Sequence, residues 1–129
     1  MAEKPVILLV EDEDNIAIAI ELLLAREGYE ILRVKDGTQA LPNIRAQRPA
    51  LVLLDVTLPG RSGYDICQSL RLDPNLASIP VLMTSARVSQ AEQRKGLAMG
   101  ADGFLTKPFA MADLKRMVAK LIEGGAHEG

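Results

Sequence analysis

The sequence has few of the residues on which several classes of protein depend. Its 129 residues include one cysteine, Cys67, which excludes an internal disulfide and is typical of a protein from a reducing compartment. The one histidine, His127, lies in the C-terminal tail, so a catalytic cysteine–histidine pair is not expected. Cys67 is therefore predicted to be a small apolar residue on a helix.

The chain also lacks a strong charge of either sign and any long hydrophobic run. Its formal net charge of −2 provides no basic surface for nucleic acid. The first apolar run, residues 6–10, is too short for a signal peptide or a membrane span, and no later run is long enough. A composition of 48% hydrophobic and 25% charged residues is typical of one globular domain. We expect a cytoplasmic protein that binds neither nucleic acid nor membrane.

Short apolar runs alternate with longer amphipathic segments along the chain. The short runs predict five strands, at residues 6–10, 29–34, 51–54, 81–83 and 103–106. An amphipathic segment follows each of them, which predicts a parallel α/β sheet with five helices on its two faces. We expect one domain at residues 1–123 and a flexible tail at residues 124–129.

The helix boundaries have their own signals. Gly28 and Gly100 predict the ends of the first and fourth helices. Ser89 with Glu92 predicts a capping box for the fourth helix, and Pro42 is predicted to kink or restart the second. The third and fifth helices are predicted at residues 63–72 and 111–123.

Polar side chains follow four of the five predicted strands. They are Glu11 and Asp12, Asp55, Thr84 and Ser85, and Lys107. Ligands bind parallel sheets at the carboxyl ends of the strands, so we expect these side chains around one crevice. Carboxylates suit a cation such as Mg²⁺, and a carboxylate can attack phosphorus while a lysine and a hydroxyl bind the phosphoryl oxygens. Each residue alone would indicate only a helix cap or a turn; their combination predicts phosphoryl transfer to Asp55.

The order and spacing of residues 6–12, 51–55, 80–86 and 100–109 resemble the receiver domain of two-component response regulators. The resemblance extends from about Lys4 to Glu123. It implies a flavodoxin-like fold with the strand order 2-1-3-4-5. It also implies that Asp55 takes a phosphoryl group from the phosphohistidine of a histidine kinase or a phosphotransfer protein. Lys107 would pair with that group, and Ser85 would donate a hydrogen bond to it.

The same resemblance implies a metal site and a switch residue. The metal, Mg²⁺ or Mn²⁺, would be held by Glu11, Asp12, Asp55 and the backbone carbonyl of Thr57. Phe104 is at the position of the aromatic residue that turns inward when the hydroxyl moves. Thr57 and Arg87 are at two variable positions that tune the phosphoryl lifetime in this family. The resemblance leaves two positions open for the side chain of Arg87, in contact with the phosphoryl group or in solvent, and we expect it to extend into solvent.

Two other classes of protein share part of this chemistry or fold. Phosphatases of the haloacid-dehalogenase type also use a strand-end aspartate, but they need a second acid two residues later, where this chain has Thr57. A flavin or nucleotide binder needs a phosphate-binding loop after the first strand, where this chain has four acids at residues 11–14. We therefore expect a signalling protein and not an enzyme.

The length of the chain bears on how the signal is passed on. No output domain follows Glu123 in this sequence, which predicts a single-domain regulator that acts on a downstream protein. A relay intermediate or phosphate sink, and a fragment of a larger regulator, remain open alternatives.

Overall fold

Five parallel strands form one sheet in the order β2-β1-β3-β4-β5, which confirms the predicted fold. The computed structural model describes residues 4–87 and 89–125. The strands are β1 (Val6–Val10), β2 (Glu30–Val34), β3 (Leu51–Asp55), β4 (Val81–Ser85) and β5 (Gly103–Thr106). The helices are α1 (Asp14–Arg26), α2 (Ala40–Gln47), α3 (Gly63–Leu72), α4 (Gln90–Ala98) and α5 (Met111–Gly125). Among the described helices, none is long and apolar enough to cross a membrane.

Two apolar layers lie on the two faces of the sheet. Side chains alternate along a strand, so Leu8 and Val10 of β1 belong to one layer, and Ile7 and Leu9 belong to the other. The first layer packs under α2 and α3, where Cys67 is buried as predicted. The second packs under α1 and α5. With both faces covered, the open end of the sheet is left to the loops that follow the strands.

Strands β3 and β4 extend further than their apolar runs predict. β3 ends at Asp55 and β4 at Ser85, and both strands are buried along their whole length. Asp55 pairs with Thr84, and Ser85 pairs with Thr106. The polar residues expected just after the strands are therefore their last residues, which gives them the rigidity of the sheet.

The helix boundaries agree with most of their sequence signals. A short 3-10 turn at Gly37–Gln39 precedes α2, so the helix restarts at Ala40 and Pro42 lies in its first turn, where its missing N–H removes no helical hydrogen bond. α5 continues two residues beyond the predicted end, to Gly125. The rest of the predicted tail, residues 126–129, lies outside the described residues.

The predicted capping box of α4 is only half formed. Ser89 caps the helix, with its Oγ accepting a hydrogen bond of 3.1 Å from the N–H of Glu92. The carboxylate of Glu92 does not turn back toward Ser89 but accepts a hydrogen bond from the hydroxyl of Tyr64 on α3. The side chain of Glu92 therefore links α4 to α3 instead of capping its own helix.

Helix α4 contacts the sheet through a glycine. All of its residues are described, and Gly96 is the one that is buried. A Cβ atom at Gly96 would lie 2.9 Å from Cδ2 of Phe104 and 3.2 Å from the sulfur of Met83. Only a residue without a side chain lets the helix backbone come this close to β4 and β5.

Candidate functional site

A cleft of about 270 Å³ opens at the carboxyl end of the sheet. The residues that line it are Asp12, Glu13, Asp55, Thr57, Ala86, Arg87 and Lys107. Four residues of the predicted site are in this set. Thr57 is one of them, although the role of its carbonyl oxygen stays a prediction.

Three carboxylates meet at the cleft, as the strand ends predict. Glu11, Asp12 and Asp55 each offer one oxygen, and these oxygens all lie within 4.8 Å of one another. Oxygens that share a magnesium ion at about 2.1 Å are separated by up to about 4.2 Å, so a small closure would let the three bind one ion. The donor set is all oxygen, which fits Mg²⁺ or Mn²⁺.

Lys107 supplies the cationic side chain of the cleft. Its Nζ lies 2.8 Å from Oε1 of Glu11 and 3.2 Å from Oδ2 of Asp55, and the side chain is 12% exposed. The Lys107 N–H also donates to the carbonyl of Ser85, which anchors the residue to the end of β4. Burial alone would lower the pKa of Lys107, but the two carboxylates together raise it above its usual value, so the amine stays charged.

Asp55 is held in surroundings that disfavour its charge. Burial is the main cause that raises its pKa, to about 6; the charge of Glu11 raises it further, while Lys107 and the Thr57 backbone lower it. The side chain of Asp55 is 8% exposed. Metal-free Asp55 is therefore mostly ionised at pH 7, and a bound cation would stabilise this charged form further.

Ser85 and Phe104, the predicted switch residues, do not line the cleft. Ser85 is buried, and its Oγ accepts a hydrogen bond of 3.1 Å from the N–H of Arg87. Phe104 is partly buried and packs against the apolar layer on the α4 side of the sheet, near Gly96. In this conformation the Ser85 hydroxyl is therefore bound to the backbone of the loop that follows β4.

The loop between β1 and α1 is fixed by a residue that the sequence did not indicate. Arg33 on β2 donates two hydrogen bonds, of 3.0 and 2.9 Å, to the backbone carbonyl of Glu11. Its remaining nitrogen lies 2.9 Å from the carboxylate of Asp14 at the start of α1. The N–H of Glu13 donates to the carboxylate of Glu11 at 3.0 Å. These contacts hold the backbone and the carboxylate of Glu11 in place. In the sequence, only the presence of a charged residue, Arg33, within a strand could have indicated them.

Comparison with known proteins gives the same picture. The family model described as response regulator receiver domain matches residues 7–119. Sensory transduction protein RegX3 of Mycolicibacterium smegmatis is 39% identical over 120 residues, which are 93% of this chain and 51% of that protein. The chain thus spans about half the length of the curated relatives it matches.

Two solved structures with the same fold come from histidine kinases. The receiver domain of a signal transduction histidine kinase from Syntrophus aciditrophicus has a TM-score of 0.88 and 31% identity, with 97% of this chain and 95% of that chain covered. The receiver domain of sensor histidine kinase PA1611 from Pseudomonas aeruginosa has a TM-score of 0.85 and 32% identity, with 93% and 98% covered. That structure has a magnesium ion coordinated in its active site cleft. Sequence, fold and site agree, and the chain belongs to the response regulator receiver domain family.

Proposed function

We propose that this receiver accepts a phosphoryl group on Asp55 from the phosphohistidine of a histidine kinase or phosphotransfer protein, in a reaction that needs Mg²⁺ or Mn²⁺. The observation that carries the proposal is the buried carboxylate of Asp55, which ends β3 beside Lys107 and two further carboxylates. A carboxylate that only caps a helix would not need a lysine and two further carboxylates beside it.

The chemistry follows from the charges around Asp55. One of its oxygens attacks the phosphorus, the bond from phosphorus to the donor nitrogen breaks, and the electron pair stays on the imidazole. Lys107 is already within hydrogen-bonding distance of Asp55 and can follow the negative charge onto the phosphoryl oxygens. Glu11, Asp12, Asp55 and the Thr57 carbonyl would hold the cation, which supplies positive charge to those oxygens when bound.

Phosphorylation at Asp55 can be tested by intact-mass spectrometry. Wild type treated with a small phosphodonor and Mg²⁺ is expected to gain one phosphoryl group, and Asp55→Asn is expected to gain none because the amide is not a nucleophile toward phosphorus. Glu13→Gln is the matched control, since Glu13 lines the same cleft but is exposed and outside the carboxylate cluster. A comparable gain of mass in Asp55→Asn would show that another residue is the acceptor.

We also propose that phosphorylation changes the conformation of the surface formed by α4, β5 and α5. The hydroxyl of Ser85 would give up its hydrogen bond with the N–H of Arg87 and donate a hydrogen bond to a phosphoryl oxygen. Phe104 would then turn into the space that this movement leaves. Two observations support this proposal. Ser85 is the last residue of β4, and Phe104 lies on the neighbouring strand β5 with its ring against Gly96 of α4.

The switch can be tested with beryllofluoride, a mimic of the phosphoryl group. Its addition with Mg²⁺ is expected to shift amide resonances across residues 89–123 of wild type. Ser85→Ala should still bind the mimic but show much smaller shifts in α4 and α5, because the link from the cleft to β4 is lost. Ser78→Ala, a substitution of an exposed serine outside the cleft, should behave as wild type. Wild-type shifts confined to the loops around Asp55 would contradict the switch.

The receiver is proposed to act as a cytoplasmic signalling protein through a downstream protein partner and not as an enzyme. Its net charge of −2 supports a protein target over nucleic acid or membrane. A regulator that passes the signal to a downstream protein is the first candidate, either as a free-standing receiver or as the receiver of a larger protein, since the chain spans about half the length of its curated relatives. A relay intermediate or phosphate sink is the second, and it is favoured by the likeness to receiver domains of histidine kinases.

A further inference from the structure

Arg87 lies at the border of two cavities. It lines the cleft together with Asp55 and Lys107. It also lines a neighbouring cavity of about 240 Å³, together with Tyr64, Glu92 and others. Its side chain is 74% exposed, and one of its terminal nitrogens lies 3.5 Å from a carboxylate oxygen of Glu92. The expected solvent position is therefore only partly right, because the guanidinium is exposed but paired.

Glu92 connects this arginine to two helices. It belongs to the first turn of α4, its carboxylate accepts the hydroxyl of Tyr64 on α3, and it faces Arg87 in the loop after β4. Burial and the hydrogen bond to Glu92 both raise the pKa of Tyr64, to about 12, so the phenol stays a donor. Lys95 lies 4.5 Å from the centre of the Tyr64 ring. If Arg87 moves away from Glu92, the charge around the Tyr64–Glu92 hydrogen bond therefore changes.

The phosphorylated cleft would lack positive charge. Glu11, Asp12 and a phosphoryl dianion on Asp55 carry about four negative charges. A divalent cation and Lys107 supply about three positive charges. One more cation at the rim would neutralise the group, and a guanidinium can bind phosphoryl oxygens through two parallel hydrogen bonds.

We propose that Arg87 is a second cationic contact of the phosphoryl group, that Glu92 holds it in the unphosphorylated protein, and that its exchange between the two signals the state of the cleft to the first turn of α4. This inference rests on the proposed phosphorylation of Asp55. Arg87 pairs with Glu92 of α4, so a movement of its side chain toward Asp55 breaks a direct contact with that helix.

Titration of the full chain with beryllofluoride and Mg²⁺ tests the exchange. Arg87→Ala is expected to raise the dissociation constant roughly threefold to tenfold, because one exposed charge-assisted contact is lost. Glu92→Gln is expected to lower it roughly twofold to fivefold, because Arg87 no longer has a competing carboxylate. The effect of Glu92→Gln should disappear when Arg87 is also alanine, since the two act through one contact. Arg94→Ala, which removes the same charge from an exposed position of α4, controls for net charge.

A second measurement follows α4 itself. In wild type, beryllofluoride is expected to shift the amide resonance of Glu92 and the side-chain Nε resonance of Arg87. The Glu92 shift should fall to less than half in Arg87→Ala. If Arg87→Ala binds the mimic as tightly as Arg94→Ala does, or if Glu92→Gln has the same effect with and without Arg87, the exchange is refuted while the proposed function stands. If wild type binds no beryllofluoride, the proposed function fails and this inference fails with it.

Discussion

Asp55→Asn is expected to raise the free energy of unfolding of the metal-free protein by about 1–3 kcal/mol at pH 7. Wild type keeps a carboxylate in a place that disfavours its charge, with a pKa raised from 3.8 to about 6. The amide removes that cost, and Lys107 keeps its shorter contact, 2.8 Å to Glu11. The proposed acceptor site is thus expected to reduce stability in the absence of the metal.

The pH dependence of this difference has a defined sign. A raised carboxyl pKa gives a stabilising contribution that is present below about pH 4 and is lost as the pH rises through about 6. The difference between Asp55→Asn and wild type should therefore be small near pH 4 and should reach its full value above pH 7. Urea unfolding in chelator at several pH values measures it, with Asp113→Asn on α5 as a control.

Excess Mg²⁺ should remove most or all of this difference in stability. A hundredfold excess over the dissociation constant stabilises wild type by about 2.7 kcal/mol, and the stabilisation should be weaker or absent in Asp55→Asn and Asp12→Asn. If both variants are less stable than wild type in chelator, and Mg²⁺ has no effect on wild type, then the acids are structural caps and the metal site is refuted.

Lys107→Met is expected to lower the free energy of unfolding by about 3–5 kcal/mol at pH 7 in chelator. The substitution keeps the length of the side chain and removes its charge. It leaves the carboxylates of Glu11, which is 1% exposed, and Asp55 with no cation between them. The loss should shrink toward pH 5, since without Lys107 the pKa of Asp55 rises further and the group takes up a proton.

Two further variants make the Lys107 result specific. Adding Asp55→Asn to Lys107→Met should recover most of the lost stability, because a single buried acid no longer faces a second one. Lys115→Met is the control, because Lys115 is exposed and pairs with Glu27 at 3.4 Å, so its removal should cost less than about 1 kcal/mol. A loss from Lys107→Met that is the same at pH 5 and pH 7, and is not recovered in the double variant, would mean that Lys107 stabilises the fold by packing alone.

The fold could be predicted because its strands are buried on both faces. β1 and the interior of β3 and β4 are continuous apolar runs, and such runs are distinctive in a chain of this length. The ends of β3 and β4 were predicted one and two residues short, because apolar runs stop at the first polar side chain while backbone pairing continues. Asp55 and Ser85 are polar residues at the ends of buried strands, and their polarity hid their place in the sheet.

The acids and the lysine of the site could also be predicted, since they follow from strand ends on one edge. The contacts of Arg33 and Glu92 could not. Arg33 donates hydrogen bonds to a backbone carbonyl 22 residues away in the sequence, and Tyr64 donates one to Glu92, which is 28 residues away. No periodicity or capping pattern encodes a contact between two separate elements. The Ser89–Glu92 pair even indicated a different partner for Glu92, and only the packing of α3 beside α4 decides between them.

The glycine contact of α4 bears on the energy that the proposed conformational switch would need. A buried aliphatic side chain contributes about 1.5–3 kcal/mol, and α3 buries Ile66 and Leu70, whereas α4 buries only Gly96 among its residues, all of which are described. Moving a two-state equilibrium from 1:99 to 99:1 takes about 5.5 kcal/mol of differential binding. A displacement of α3 would consume most of that energy in lost apolar burial. A displacement of α4 would consume less of it, so in the proposed switch one charged group in the cleft would be enough to change which conformer predominates.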